Sequence, residues 1–564
     1  MPNLYMGLFC HGSHDSAVAL VDDSGRVIYA SEQERFDRKK HSSRFPTEAI
    51  QNAFAESGYS WKDIQAVGFA WDPFADLDRI AKYLILHSPH AAPILFRPKQ
   101  KTQSRLAKWL EMRRVPKKLR ELGWSGGEYK NWNHHLCHAA STYFASGFSK
   151  AASLSVDGNG EFASTTIHSC DAGQFRAVDR IDYPHSLGHF YATITQYLGF
   201  RPLNDEYKVM GLAAFGRTHL HEWREKIDQV LLEAPSGFAL ELKYFQFHLG
   251  QDRMWSPELE KLLGPSREIG ASLEPRHEAI AAAVQDALER AILRLSARAQ
   301  ALTGHTRLCL SGGVALNCLA NERLYHSHWE EIFILPAPHD SGSALGAAFL
   351  ARKKDFGLRM HGAALGASIQ CPEAPTGPWQ VHALNPERIK TLAAALAQGK
   401  TVAWARGRSE FGPRALGSRS LLADPRKLEN KEKLNRVIKR RESFRPFAPV
   451  VMQEFAAGIF ELGKQDSPFM LRTVPVKAEW RIKIPAAIHV DGSARVQTLK
   501  KETNPELHAL LAAFHELSQV PVLLNTSLNT AEEPIVNTAQ EALDLFRRTS
   551  IDILVLDDWV LEKN

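Results

Sequence analysis

Two histidines four residues apart, His134 and His138, and two aspartates further on, Asp157 and Asp340, are the side chains best suited to joint chemistry in this chain. Residues i and i+4 share one helical face, so both imidazoles can converge on one spot. Asp157 stands in Asp-Gly-Asn-Gly and Asp340 in His-Asp-Ser-Gly-Ser, each read as a glycine-rich turn that brings a carboxylate to the same point. Two imidazole nitrogens with carboxylate oxygens suit Fe(II), Mn(II) or Zn(II), with positions left open for substrate. Taken alone, His-x-x-x-His is more often a surface or capping pair. The rest of the chain has to decide.

A second constellation lies between residues 405 and 451. It runs Gly407-Arg408-Ser-Glu410-Phe-Gly412-Pro413-Arg414-Ala-Leu-Gly417-Ser-Arg419, then Lys439-Arg440-Arg441-Glu442-Ser-Phe444-Arg445-Pro446. Buried arginines need an anion or a carboxylate. Here rigid and apolar residues are interleaved with the charges, unlike a solvated run. A structured cationic pocket for phosphate or carboxylate follows, because guanidinium forks bind both bidentately. The alternative is an internal Arg–Glu network through Glu410 and Glu442.

The elements that position these groups can be read from pattern. Residues 4–9, 17–21 and 27–30 form a β-meander, and the same strand–small polar loop–strand grammar returns at 152–156 and 163–167. We read this as an internal duplication. Helices are predicted from Pro46 to Gly58, from His134 through Phe144, and from Glu274 to Thr303 with Gly304 as the stop. A strand at 307–310 leads into Ser311-Gly312-Gly313, read as a strand end opening a helix. Facing strand–loop–strand units with small residues let backbone N–H groups approach phosphates, and a helix N-terminus adds to this. Gly12, Asp15, Gly158, Gly312, Gly313 and Asn317 are the nucleotide-binding candidates. The pattern loosens near 357–378, which divides the chain into 1–365 and 375–564; a helix at 389–398 and a strand at 401–404 open the second part.

Composition narrows the class. The 564 residues are 44% hydrophobic and 23% charged, as in a globular protein of two or three domains. No apolar run reaches the ~18 residues that span a bilayer. The opening residues lack a basic n-region, and the six cysteines show no framework spacing. A cytoplasmic protein with no membrane partner is expected. The net charge of +6 fits anionic small substrates. The basic stretch 97–120 offers only Trp109 for stacking, so it reads as a solvated helical excursion, and nucleic acid is not an expected partner.

In order along the whole chain, His14-Asp15-Ser-Ala17, Glu34-Arg35-Phe36, Lys39-Lys40-His41, His134-His135-Leu-Cys-His138, Val156-Asp157-Gly158, Glu206-Tyr-Lys208-Val-Met210-Gly211, Ser311-Gly-Gly-Val-Ala-Leu-Asn317, His339-Asp340-Ser-Gly-Ser and Phe444-Arg445-Pro446 resemble the O-carbamoyltransferases of nodulation-factor, cephamycin and tobramycin tailoring. The resemblance implies an α/β chain: a duplicated actin-like ATPase (ASKHA) fold over 1–365, which transfers the carbamoyl group, then a YrdC-like α/β domain over 375–564, which forms carbamoyl-adenylate. It implies His134, His138, Asp157 and Asp340 as metal ligands, with Fe(II) the expected ion and Mg²⁺ accompanying ATP. Adjacent histidines leave the register open, and His134 is preferred over His135 because it shares a face with His138. His14 is then the base for the acceptor hydroxyl, with Lys40 a further catalytic candidate. Carbamoyl phosphate and adenylate would be held by Arg414, Arg419, Lys439, Arg441, Arg445, Arg495, Asn525 and Ser527, of which Lys439 and Arg441 would also act in catalysis. The family usually has Phe where Leu528 stands, a swap of similar volume.

The expected partners are therefore carbamoyl phosphate, ATP and a hydroxylated acceptor; the oligomeric state, a homodimer included, stays open. Three other readings compete: a sugar kinase on the actin-like fold, a tRNA threonylcarbamoyl-type enzyme, and a nucleotide-gated binding module.

Overall fold

The structure is a computed structural model that describes residues 3–10, 12, 14–86, 105–250, 252–435, 442 and 444–563. Lys439 and Arg441 lie outside the described residues. The chain forms two compact units, residues 1–28 with 41–360 and residues 29–40 with 361–564. The segment Tyr29–Lys40, which the sequence reading left in the first half, is grouped with the second unit, although its first residues, Tyr29–Glu32, continue a strand whose sheet lies mostly in the first.

The first unit is built on a repeated five-stranded sheet. Strands β1 (Leu4–Phe9), β2 (Ala17–Asp22), β3 (Val27–Glu32), β4 (Ile64–Phe69) and β5 (Glu128–Asn131) lie in the order β3-β2-β1-β4-β5. β1 runs antiparallel to β2 and parallel to β4, and β4 is parallel to β5. Strands β6 (Lys150–Gly160), β7 (Ala163–Asp171), β8 (Gln174–Asp182), β9 (Arg307–Ser311) and β10 (Glu331–Ile334) repeat it as β10-β9-β6-β7-β8, with the same senses. This duplicated meander-plus-parallel-strands topology is the actin-like ATPase fold. The central strands are near-continuous apolar runs because both of their faces are covered.

Helices follow equivalent strands. α1 (Thr47–Ser57) carries the chain from the first meander to β4, and α2 (His134–Ser146) follows β5. The longest, α3 (Pro275–Thr303), ends at Gly304 in the left-handed region. α4 (Cys318–Tyr325) precedes β10, and α5 (Asp340–Arg352) follows it. α2 and α5 are thus the counterpart helices of the two repeats. They approach so closely that a Cβ on Gly346 would stand 1.8 Å from the Cys137 carbonyl oxygen, so only glycine serves there.

His168 lies buried on β7, its Nδ1 without a partner among the described residues. Burial lowers its pKa from 6.5 to about 4. The folded state therefore binds fewer protons than the unfolded chain between these values. Its contribution to stability is full above about pH 6.5 and falls as pH drops toward 4, by about 2–3 kcal/mol at pH 4.5. Thermal melts at pH 7.5 and 4.5 should show His168→Leu losing less stability on acidification than the parent.

The second unit centres on a mixed eight-stranded sheet: β11 (Trp379–Ala383), β12 (Val402–Ala405), β13 (Arg419–Ala423), β14 (Ala448–Met452), β15 (Gln497–Leu499), β16 (Val522–Ser527), β17 (Ile553–Leu556) and β18 (Trp559–Lys563), in the order β11-β18-β17-β12-β13-β16-β14-β15. The helices Pro386–Ala397 and Pro505–Ser518 contribute Leu392, Leu396, Leu507 and Leu511 to its core around Trp404. Among the described residues, no helix is long and apolar enough to cross a membrane.

Candidate metal centre and anion loop

The four residues singled out by spacing meet in the first unit, all of them buried. His134 Nε2 lies 3.4 Å from Asp157 Oδ2 and 3.4 Å from Asp340 Oδ1. His138 Nε2 lies 3.4 and 3.6 Å from the same two oxygens and 3.0 Å from His134 Nε2. Ligands held ~2.1 Å from one ion stand about 3.0 Å apart at octahedral right angles and about 3.4 Å apart in a tetrahedron. The separations match. A proton or a shared cation satisfies two imidazole nitrogens that face each other, and the His–His–Asp–Asp donor set fits a transition ion.

The supporting shell orients these donors. His134 Nδ1 donates to the Ala70 carbonyl at 3.1 Å, which leaves Nε2 as the ligating nitrogen. Asp157 accepts from the Gly313 amide through Oδ1, turning Oδ2 to the histidines. Glu161 accepts from the amides of His134 and Asp72 and from Asn133 Nδ2, and so pins the start of α2. Burial pushes Glu161 up to about 7, although nearby His134 and these amide donors pull it down. A Cβ on Gly160 would lie 2.4 Å from His134 Cδ2, so the ring has its space because that residue is glycine.

Charge is balanced within the group. Burial disfavours ionisation throughout, yet the carboxylates of Asp340 and Asp157 hold His134 well above the usual imidazole range. Hydrogen bonds from His134 and His138 hold Asp157 well below the carboxylate range despite its burial. His135 stands outside the group: its Nδ1 faces Thr166 Oγ1 at 3.3 Å. Burial, with His134 and His138 close by, keeps His135 well below the usual range.

The positions of the two aspartates differ from the sequence reading. Asp157 lies within β6, which runs on to Gly160 because the β6–β7 register shifts after Val156. Asp340 is the first residue of α5, where a carboxylate complements the helix dipole. The centre therefore combines the starts of two counterpart helices with a strand of the second repeat. His14, in the β1–β2 loop, stands beside it, its Nδ1 3.6 Å from Asp340 Oδ2 and 3.2 Å from Asp15 Oδ2.

Several of the nucleotide candidates also make contacts within the chain. Gly12 and Gly312 adopt positive φ. The Gly312 amide donates to the Pro338 carbonyl and the Gly313 amide to Asp157. The Gly158 carbonyl accepts from Ser186. The helix does not open at Gly313, as expected, but after a 3₁₀ turn over Gly313–Leu316. Asn317 caps it, exchanging amide hydrogen bonds with Gln285. The Ser-Gly-Gly string thus holds Asp157, a role that spacing alone does not reveal.

In the second unit the loop after Arg408 is held from several sides. Glu410 Oε1 accepts from the amides of Leu416, Ser418 and Arg419. Arg419 is fully buried and donates to the carbonyls of Arg406, Ser418 and Ala367, a structural set of partners. Asn525 Nδ2 donates to the Ala415 carbonyl and to Gln497 Oε1, while its buried Oδ1 has no partner among the described residues. Arg414 is half-buried beside Ala415, and Arg495 ends the short strand Ser493–Arg495 that precedes Gln497. Ser527 donates to Asn529 Oδ1. Arg445 pairs with Glu442 at 3.6 Å, as the anticipated Arg–Glu network would have it, while Glu410 Oε1 accepts from backbone amides.

The segment Tyr29–Lys40 carries Arg35 and Lys40, quoted above, and Glu32, which the sequence reading did not single out. Gly412 N–H donates to Glu32 Oε1 at 2.6 Å, and buried Arg35 donates to the Gly412 carbonyl at 2.7 Å. Lys40 donates to the Ala531 carbonyl, in the second unit. The signal was present in the string Glu34-Arg35-Phe36, but its partners lie more than 370 positions away. In the basic stretch, Trp109 donates to the Pro73 carbonyl and is covered by Arg113, which leaves it engaged within its own chain. Residues 97–104 of that stretch lie outside the described residues.

A duplicated actin-like unit with a buried His–His–Asp–Asp group that can hold a metal ion, joined to a mixed-sheet unit with an arginine-bearing loop, is the class this fold and site define. The chain belongs to the carbamoyltransferase family and is an enzyme of it: the model of the carbamoyltransferase N-terminus matches residues 6–349, and that of the carbamoyltransferase C-terminus matches residues 393–563. It is 38% identical to the Synechocystis protein sll1178, over 98% of this chain and 95% of that one. It is 34% identical to nodulation protein NolNO of Sinorhizobium fredii, over 100% of this chain and 80% of that one. The solved structure of T. kodakarensis HypF overlaps 62% of this chain and 48% of its own at 14% identity, with a TM-score of 0.32, too loose to add to the topology above.

Proposed function

We propose that the protein is an ATP-dependent O-carbamoyltransferase that makes carbamoyl-adenylate from carbamoyl phosphate and ATP, then passes the carbamoyl group to a hydroxyl of a sugar or natural product. The observation that carries this reading is the ligand-spaced His134–His138–Asp157–Asp340 group with His14 beside it, inside the region matched to the family's N-terminus. Its place of action is the cytoplasm.

The first half-reaction is assigned to the second unit, as a YrdC-like domain. Water cleaves carbamoyl phosphate to carbamate and inorganic phosphate, and the carbamate oxygen attacks the α-phosphorus of ATP; the bond to the β-phosphate breaks and pyrophosphate leaves, with Mg²⁺ accompanying the triphosphate. Lys439, Arg441, Arg445, Arg495 and Arg414 bind the anions, and Asn525 offers an amide.

The second half-reaction is assigned to the first unit. An Fe(II) ion held by His134, His138, Asp157 and Asp340 would supply Lewis-acid polarisation of the carbamoyl oxygen. The acceptor oxygen attacks the carbamoyl carbon, its proton passes to His14, and the bond to AMP breaks. Enclosure by protein keeps the mixed anhydride from water.

Incubation with ATP, carbamoyl phosphate and a panel of hydroxyl compounds (tobramycin, chitotetraose, glucose) tests the reading. Mass spectrometry should find AMP, pyrophosphate and an acceptor heavier by one carbamoyl group. ADP with a phosphorylated acceptor would instead establish the kinase alternative.

A further inference from the structure

His41 and Asn204 have no assigned role, yet together they reach the base beside the metal centre. His41 Nδ1 lies 2.7 Å from Asp15 Oδ1, and His41 Nε2 lies 3.1 Å from Asn204 Oδ1. The Asn204 amide cannot be turned round, because its Nδ2 donates to Asp205 Oδ1 at 2.7 Å and a carboxylate only accepts. Asp205 is itself fixed by Lys208 at 3.1 Å and by the Arg201 amide at 3.2 Å. Both nitrogens of His41 thus face acceptors, an arrangement that an imidazolium satisfies with its two N–H groups.

Asp15 lies between this ring and His14, whose Nδ1 is 3.2 Å from Asp15 Oδ2. Burial alone would raise Asp15, but His41 and His14 hold it well below the usual carboxylate range. The two loops are joined by the Ser16 amide donating to the Ser42 carbonyl at 2.9 Å. Asp15 and His41 both adopt left-handed backbone, φ 57° and 53°. Non-glycine residues adopt such φ at a cost, and they persist where surrounding contacts fix them, often at functional sites.

We propose that His41, oriented by Asn204, is a positioning residue for carbamoyl transfer: it fixes Asp15 so that His14 carries its proton on Nδ1 and keeps Nε2 as the basic nitrogen. The inference rests on His14 acting as the base. It also gives the string from Asn204 to Lys208 a function, as the far end of a chain of hydrogen bonds that runs through Asp205, Asn204, His41 and Asp15 to His14.

The test uses the full chain, Zn(II)-loaded and labelled with ¹⁵N at histidine, in imidazole-nitrogen NMR, with His41→Gly, His41→Asn and His14→Gln as assigning variants. Glycine and asparagine both tolerate positive φ, and only asparagine keeps a donor for Asp15. Expected are a doubly protonated His41 at neutral pH and a single Nδ1–H form of His14. That form becomes a mixture in His41→Gly and is restored in His41→Asn. With tobramycin or chitotetraose as the hydroxyl probe, kcat for transfer should fall on the order of 10²-fold in His41→Gly with little change in acceptor KM, and recover most of the loss in His41→Asn. A neutral His41, or a His14 form unchanged by His41→Gly, overturns the proposal. Wild-type transfer by His14→Gln would instead remove the base reading itself, so the two failures are separable.

Discussion

His138→Ala should abolish carbamoyl transfer, by more than about 10³-fold, while release of pyrophosphate from ATP and carbamoyl phosphate persists. The imidazole contributes one of four donors at separations of 3.0–3.6 Å, and its removal leaves Asp157 and Asp340 close together with a single imidazole to balance them. Metal retention should fall with transfer, measured by elemental analysis of the dialysed protein. His135→Ala is the internal comparison. It opens a cavity in the same helix and should cost stability, but His135 stands outside the donor group and the metal should stay. Full transfer by His138→Ala would sink the metal assignment.

Glu410→Ala should remove the opposite half-reaction. One buried carboxylate oxygen accepts three backbone amides, at 2.8, 2.7 and 3.1 Å, and so sets the course of the Phe411–Arg419 loop that carries Arg414. Truncation leaves those amides without their acceptor, at ~1–3 kcal/mol for each buried orphan. We expect a loss of several kcal/mol, read as a lowered Tm, and pyrophosphate release reduced on the order of 10²-fold. Glu410→Gln keeps a carbonyl oxygen in the same place and should retain much of both. Equal damage from Gln and Ala would mean that charge, rather than loop geometry, is what Glu410 supplies.

Much of the first unit was legible because its signals are local. The i, i+4 histidines, the two meanders and the Gly304 stop each depend on a few neighbouring residues, and the structure places them where the pattern does. The glycine-rich strings were harder. Ser311-Gly312-Gly313 looks like a phosphate cradle, and only the fold shows that its amides hold Asp157 and Pro338. A glycine pattern records backbone freedom, not the partner that the freed N–H meets.

The chain by itself determined which side chains could converge on a cation and that the first half is duplicated, and it marked a cluster of arginines that has to find partners, though not that Arg419 would find backbone carbonyls. These follow from periodicity, residue chemistry and the cost of burying charge. Tertiary structure alone decided that Asp157 lies on a strand and Asp340 opens a helix, that Glu410 serves amides, and that Glu32 and Arg35 clamp Gly412. The reason is that such contacts join residues up to several hundred positions apart. Their partners are set by how strands pair and helices cross, which no local spacing encodes.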